Sequence, residues 1–296
     1  MDIMRNVILP EGVISIGDYA FSYCQNLESL SLPSTLLSIG KEAFEGCAQL
    51  RAIALPEGLE TLGDKAFKAC SNLESINWPS TITGVGNYIF SECFSLRTLP
   101  EGITTLSEGM FLSCTSLEEV SIPEGITTLP SNTFTLCPAI RRIELPSSLT
   151  LIGDYAFYGP IALEQVICHA ITPPTLGGES VFTDDSYSDD SYSGVSAYAA
   201  RLSVPCVSER LYREHSVWGR FAEGECLEET SLNNVENDTS GISFIDGVLL
   251  NPNRLKISVY NTLGQRVYNG NESNIHIGAH GVYCVTGASV NRKIAY

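Results

Sequence analysis

Cysteine is the residue type whose number and spacing first suggest chemistry, because ten cysteines occur in 296 residues. Six of them recur at one position of a regular pattern: Cys24, Cys47, Cys70, Cys93, Cys114 and Cys137. Neighbours in such a series lie about one strand spacing apart, ~4.8 Å, and point the same way, whereas a disulfide needs converging Cβ atoms near ~3.8 Å. We therefore expect buried free thiols that act as small apolar groups. The other four cysteines are scattered, and a Cys206–Cys226 bridge is left open.

Metal binding and catalysis have little support in the sequence. No CxxC pair occurs, which argues against zinc. His276 and His280 stand four residues apart, but Gly278 and the alternating pattern around them favour a strand and a turn over a metal-binding helix. The chain also lacks the GxSxG, HExxH and phosphate-loop patterns. We expect no metal, no cofactor and no catalytic residue, and hence a protein that is not an enzyme.

An acidic stretch from Thr183 to Gly194 is the remaining candidate for ion chemistry. Carboxylate oxygens are ligands that calcium prefers, and the stretch offers four aspartates: Asp184, Asp185, Asp189 and Asp190. Their spacing matches neither an EF-hand nor an RTX repeat. We interpret the stretch as a solvated insertion, with calcium binding as the alternative.

The elements that position these residues are copies of one repeat, which seven phenylalanines mark: Phe21, Phe44, Phe67, Phe90, Phe111, Phe134 and Phe157. They are 23 residues apart, except for one step of 21 residues before Phe111. A fixed period of this length predicts a solenoid of seven coils, in which each coil covers the apolar face of the next. We expect β-rich coils with short helical turns around each Phe, and a kink or a shortened strand in the fifth coil.

Composition restricts the class of protein further. The apolar content of 44% suits a buried solenoid core, and the formal net charge of −17 argues against nucleic-acid binding. No apolar run approaches the ~20 residues of a membrane span. The chain enters a half-repeat at Val7 without a signal peptide, so we expect a leader and a first coil to precede residue 1 in the full-length protein.

The chain changes character after the seventh coil, and four segments are predicted. We expect residues 1–168 to form the repeat solenoid and residues 169–229 to form an aromatic-rich cap that carries the acidic loop. Residues 228–241 are rich in Asn, Ser, Thr and Glu, and residues 230–241 are therefore predicted to be a linker. Residues 242–296 contain short alternating segments and turn residues, which predict a small all-β sandwich.

Two parts of the chain resemble known families. The repeat LPxxxxxIGxxAFxxCxxL over residues 5–168 resembles the BspA-like leucine-rich repeat. The tail segments ISVYNTLGQRVYNG and GAHGVYCVTG are similar to the C-terminal sorting domain of the type IX secretion system of Bacteroidetes. These resemblances imply a secreted or cell-surface protein of a group that includes adhesins for extracellular-matrix proteins or other bacteria.

The outward residues of the strands distinguish two functions, a binding module and a structural spacer or subunit of a surface assembly. They are small in the first coils and charged in coils five to seven, and a recognition surface needs such variation at positions that the core leaves free. We predict that protein ligands, including host matrix or cell-surface proteins, bind at Glu118, Glu119, Arg141, Arg142 and Glu144. Arg141 and Arg142 are the expected anchors, because arginine is enriched at binding hot spots. The alternative is that these are ordinary solubilising charges.

Overall fold

A computed structural model of the chain describes residues 4–183, 197–227, 243–245, 248–251, 256–261, 266–276, 282–287 and 290–295. The aspartates of the acidic loop, the predicted linker 230–241 and His280 lie outside the described residues. The chain divides into two compact units. One comprises residues 1–204 and 210–227, and the other comprises residues 205–209 and 228–296.

The first unit is a solenoid whose strands lie on two faces and pair in parallel. The first face carries β1 (Asn6–Ile8), β3 (Ser29–Ser31), β5 (Ala52–Ile53), β7 (Ser75–Ile76), β9 (Glu119–Ser121), β11 (Arg142–Leu145), β13 (Gln165–Cys168), β15 (Arg201–Ser203) and β16 (Ala222–Glu223). The second face carries β2 (Ser15–Ile16), β4 (Ser38–Ile39), β6 (Thr61–Leu62), β8 (Gly84–Val85), β10 (Thr128–Leu129), β12 (Leu151–Ile152) and β14 (Thr175–Leu176). The predicted repeat solenoid is thereby confirmed.

Alternation along each short strand separates the core from the surface. In β3, Leu30 is buried while Ser29 and Ser31 are exposed, because successive side chains of a strand point to opposite faces. The register repeats this arrangement in the next coils, so that Ile143 lies between Val120 and Val166. The repeated apolar positions therefore form one continuous interior.

The phenylalanine rings stack along this interior. Successive ring centroids from Phe21 to Phe157 are 5.2 to 5.8 Å apart, and their planes lie within 21° of parallel. The stack continues to Phe182, whose ring lies 5.5 Å from that of Phe157. The solenoid thus extends past residue 168, and the segment predicted as a cap first adds rungs to both faces through β14, β15 and β16.

The turns around each phenylalanine are not helical, which differs from the expectation. Residues two before and two after each Phe have positive φ, as at Glu42 (53°) and Gly46 (70°) around Phe44. The Phe N–H donates to a carbonyl of the next coil at 2.8 to 3.0 Å in all seven coils. An α-helix would direct that N–H to a carbonyl within its own segment. Bonding between coils therefore replaces the helix, and the left-handed residues make it possible.

The fifth coil, where a kink or a shortened strand was predicted, has no strand on either face. Residues 97–99 and 104–105 form no strand, so the sheets of coils one to four end at β7 and β8. Trp78, in the preceding coil, is 5% exposed and packs edge-on against Phe90 at 6.5 Å. The bulky indole of Trp78 thus packs next to the coil at which the sheets are interrupted.

The end of the solenoid is closed by helix α1 (Glu209–Glu214) and by 3-10 turns at Glu179–Val181, Ala197–Ala199 and Trp218–Arg220, and a further 3-10 turn at Cys206–Ser208 precedes α1 in the chain. Trp218 is fully buried and contacts Phe182 at 5.3 Å and Tyr212 at 5.5 Å between ring centroids. Its indole N–H donates to the carbonyl of Pro174 at 3.2 Å. These aromatic rings cover the last rung of the phenylalanine stack.

The second unit is all-β in its described residues. Its strands are β17 (Ser243–Ile245), β18 (Val248–Leu250), β19 (Ile257–Asn261), β20 (Arg266–Gly270), β21 (Asn274–His276), β22 (Val282–Gly287) and β23 (Val290–Ala295). They form two antiparallel sheets, with strand orders β17-β18-β21 and β20-β19-β22-β23. His276 lies in β21, as its alternating pattern predicts.

Candidate functional site: a charged patch on the strand face

The outward side chains of β9, β11, β13 and β15 form a surface that we name the strand patch: Glu119, Arg142, Glu144, Gln165 and Arg201, with His169 beside them. The register places Arg142 between Glu119 and Gln165, and Gln165 next to Arg201. Parallel strands at a spacing of ~4.8 Å bring these side chains within reach of one another. Four successive coils thus contribute side chains to one surface.

Glu144 is the centre of the hydrogen bonding in the strand patch. One carboxylate oxygen accepts from Arg142 Nη2 at 2.9 Å, and the other lies 2.9 Å from His169 Nε2. The three side chains are 33% to 42% exposed, so water screens their charges only in part. Arg142 Nε is buried and has no hydrogen-bond partner in the part of the chain that the structure describes. Arg142 and His169 are thus both held by Glu144, while the Nε–H donor of Arg142 is not used.

The sequence-predicted residues separate into two groups. Glu119, Arg142 and Glu144 belong to the strand patch, whereas Glu118 and Arg141 lie one position earlier, where each strand begins. Arg141 pairs with Glu164 at 2.7 Å, and Glu118 pairs with Arg97 at 2.9 Å. The repeat predicts that Gln165 points outward, but the sequence did not indicate Gln165, His169 or Arg201 as binding residues. The position of Gln165 follows from the period, whereas His169 and Arg201 lie beyond the regular repeats and become neighbours only through folding.

Glu118 and Arg141 belong to a longer series that we name the charge ladder: Arg5, Glu28, Arg51, Glu74, Arg97, Glu118, Arg141 and Glu164. Its members occupy the same position in successive coils, and their charges alternate without exception. They pair two by two, since Arg5–Glu28 and Arg51–Glu74 are also ion pairs, at 3.2 and 3.5 Å. The alternation seven residues after each Phe is the sequence signal that would have revealed this series.

The six cysteines that recur in successive coils, from Cys24 to Cys137, form a cysteine ladder of free thiols. Cys24 is partly exposed, and the other five are buried. From Cys47 onward each thiol donates to the carbonyl of the Phe in the preceding coil, at 3.1 to 3.3 Å. Burial raises the pKa of Cys47 and Cys137 to about 12. Neutral thiols of this kind are poor nucleophiles, so the ladder supports packing rather than covalent chemistry.

Three of the four other cysteines have described side chains, and these three are of two kinds. Cys168 is a buried free thiol within 3.1 Å of the Tyr212 hydroxyl. Cys206 and Cys226, for which the sequence left a bridge open, are both disulfide-bonded. Within the described ranges, no three His, Cys, Asp or Glu side chains form a group that would suit a metal ion. No helix in those ranges has the length and apolar character to span a bilayer.

Parallel strand ladders, stacked rings and an outward strand face define the class of this protein as a leucine-rich-repeat solenoid, a fold that typically serves as a binding scaffold. The sequence profile described as the BspA type leucine rich repeat region matches residues 2–100 and 98–182, with six copies. The chain belongs to this family.

Solved structures of other bacterial repeat proteins are similar. A leucine-rich repeat protein from T. pallidum is 30% identical, with 54% of this chain and 78% of that chain covered and a TM-score of 0.49. One from Bacteroides ovatus is 24% identical, with 75% of this chain and 61% of that chain covered and a TM-score of 0.54, which supports the fold. A leucine rich cell surface protein from Faecalibacterium prausnitzii is 25% identical over 60% of this chain and 61% of that one, with a TM-score of 0.39. A comparison with curated proteins gives no match.

Proposed function

We propose that this protein is a secreted or cell-surface binding module that recognises protein ligands, in the manner of an adhesin, through the strand patch. The observation that carries the proposal is the contrast between the two halves of the first face. Coils two to four present Ser29, Ala52 and Ser75 at the position where later coils present Glu119 and Arg142. The interior positions stay apolar throughout. Variation confined to the outer surface is what recognition requires and core packing does not.

Arg142 is the proposed anchor within the strand patch. Its guanidinium is held by Glu144 and is central in the register, with Glu119 on one side and Gln165 on the other. Arginines in such central, partly desolvated positions dominate many protein interfaces. Arg141 lies at the edge, is 62% exposed and is paired with Glu164, and exposed pairs of this kind contribute little. The proposal therefore assigns the two adjacent arginines different roles.

Binding to an immobilised panel of purified extracellular-matrix proteins, measured by surface plasmon resonance, tests this assignment. For any panel protein that binds, Arg142→Ala is expected to weaken affinity about tenfold or more. Arg141→Ala is the matched control and is expected to change affinity about twofold or less. Equal losses in both variants would remove the strand patch as the site. An absence of binding to every panel protein would favour the spacer interpretation.

The second unit carries a separate proposal, that residues 242–296 act as a type IX sorting domain. Its support is the sequence resemblance together with the two antiparallel sheets of its described residues. Fusing residues 242–296 to a reporter with its own leader, in a bacterium that has type IX secretion, is expected to bring the reporter to the cell surface. The same reporter without the tail is the control. Retention of both reporters in the periplasm would contradict a sorting role.

A further inference from the structure

The charge ladder extends over eight coils and is exposed along its whole length. Its members alternate Arg and Glu from Arg5 to Glu164, and their side chains are 49% to 71% exposed in the four ion pairs. Each pair leaves about half of both side chains free for further contacts. A surface row of this kind presents four ion-pair dipoles that point in the same direction along the solenoid.

Backbone hydrogen bonds between coils link neighbouring members of the charge ladder. The N–H groups of Glu28, Glu74 and Glu164 donate to the carbonyls of the arginines one coil earlier, at 2.7 to 2.8 Å. The Arg141 N–H likewise donates to the Glu118 carbonyl at 2.8 Å. The rungs joined by these bonds are therefore about one strand spacing apart, ~4.8 Å. The backbone thus sets the spacing of the positions from which these charged side chains extend.

An alternating row with an even number of members is complementary to its own copy in one orientation. When a second copy lies antiparallel across a two-fold axis, Arg5 faces Glu164 and Glu28 faces Arg141. In the same arrangement Arg51 faces Glu118, and Glu74 faces Arg97. All facing charges are then opposite, and each intrachain ion pair lies against an ion pair of reversed direction. In a parallel arrangement with the same register, every rung would face a like charge.

We propose that the charge ladder is a docking edge for a second copy of this chain, related by a two-fold axis and antiparallel to the first. A two-fold contact uses the same surface on both subunits, which is the symmetry that this row of charges satisfies. The neighbouring outward residues Ser29, Ala52 and Ser75 are small, so they leave room for the side chains of the partner. Charge complementarity along the whole row thus identifies the partner as a second copy of this chain.

The association depends on exposed charges, so salt must weaken it. Water and ions screen such pairs beyond a Debye length of ~8 Å at physiological ionic strength. The expected complex is a weak dimer that forms near physiological ionic strength, where the repulsion between two chains of net charge −17 is largely screened, and that dissociates as more salt is added. Sedimentation equilibrium of the full chain at physiological and at higher salt concentrations measures this. A chain that stays monomeric at physiological salt and at the highest concentration measured would overturn the proposal.

Exchange of charges tests the two-fold geometry itself. The variant that combines Arg51→Glu with Glu74→Arg keeps an intrachain pair and the net charge, but it places like charges opposite Glu118 and Arg97 of the second copy. Its dimer dissociation constant is expected to rise about tenfold or more. Adding Arg97→Glu and Glu118→Arg makes all facing charges opposite again, and dimerisation is expected to recover.

The outcomes of the exchange are decisive in both directions. Circular dichroism confirms that each variant is folded, which is expected because all four positions are exposed. A dimer that survives the first exchange would show that another surface forms the contact. A failure of the fourfold variant to recover would equally overturn the antiparallel arrangement.

Discussion

Raising the pH from about 8 to about 10 is expected to destabilise the solenoid strongly, because folding keeps five of the recurring cysteines buried as neutral thiols. Burial raises the pKa of Cys47 and Cys137 to about 12, and it also raises the pKa of Cys70, Cys93 and Cys114 well above the ordinary value of a thiol. In the unfolded chain the same thiols ionise near pH ~8.5. Above that pH the unfolded state loses protons that the folded state retains, so stability falls as the pH rises.

The expected size follows from the number of thiols. Each one lowers the free energy of unfolding by about 1.4 kcal/mol per pH unit above its unfolded pKa. Five thiols together reach roughly 10 kcal/mol near pH 10, which is comparable with the whole stability of an ordinary domain. Guanidinium unfolding under reducing conditions at a series of pH values measures the slope. Replacing Cys93 and Cys114 with Ala is expected to make that slope shallower, and an unchanged slope would show that thiol ionisation is not its cause.

Trp218→Ala is expected to lower the free energy of unfolding by about 3–5 kcal/mol, the range for removal of a large buried aromatic side chain. The indole is fully buried against Phe182 and Tyr212, and its N–H is bonded to the Pro174 carbonyl. Its loss leaves a cavity at the end of the phenylalanine stack and a carbonyl without its donor. Because each coil is stabilised by its neighbours, unfolding should then begin at this end.

Chemical denaturation gives the overall loss, and amide hydrogen exchange locates it. Leu211→Ala is the matched control, since Leu211 lies on α1 but is 52% exposed. The control is expected to change stability by about 0.5 kcal/mol or less. If both variants lose similar amounts, the covering of the last rung by Trp218 does not determine stability at this end.

Much of the fold was predictable because a period is a property of sequence alone. The 23-residue spacing from Phe21 to Phe157 requires a unit that stacks on its own copies, and the alternation around Leu30 predicts which residues face the core. The shortened step before Phe111 located the interruption of the sheets. The eighth ring, Phe182, was detectable in principle, since Thr175-Leu176-Gly177 before it corresponds to Leu151-Ile152-Gly153. It was not predicted because it lies 25 residues after Phe157, which does not match the period of 23.

The candidate site was predictable only in part, because neighbours on a surface depend on which coils come together. From the sequence, Arg141 and Arg142 were equivalent adjacent arginines. In the structure they face different partners, since Arg141 pairs with Glu164 and Arg142 with Glu144. One residue of displacement along a strand changes the direction of a side chain. The difference between an edge charge and a central anchor follows from that geometry.

By itself the sequence determined the solenoid, its interior ladders and the position of its irregular coil, because these depend on spacing that repeats along one chain. The tertiary structure decided the contacts in those parts of the chain to which the repeat does not apply. It placed His169 against Glu144 and Trp218 against Phe182, and it replaced the expected helical turns with bonds between coils. Contacts between residues far apart in sequence have no period from which to read them. These contacts form only when the last coils pack over the core and the buried backbone N–H groups are hydrogen-bonded.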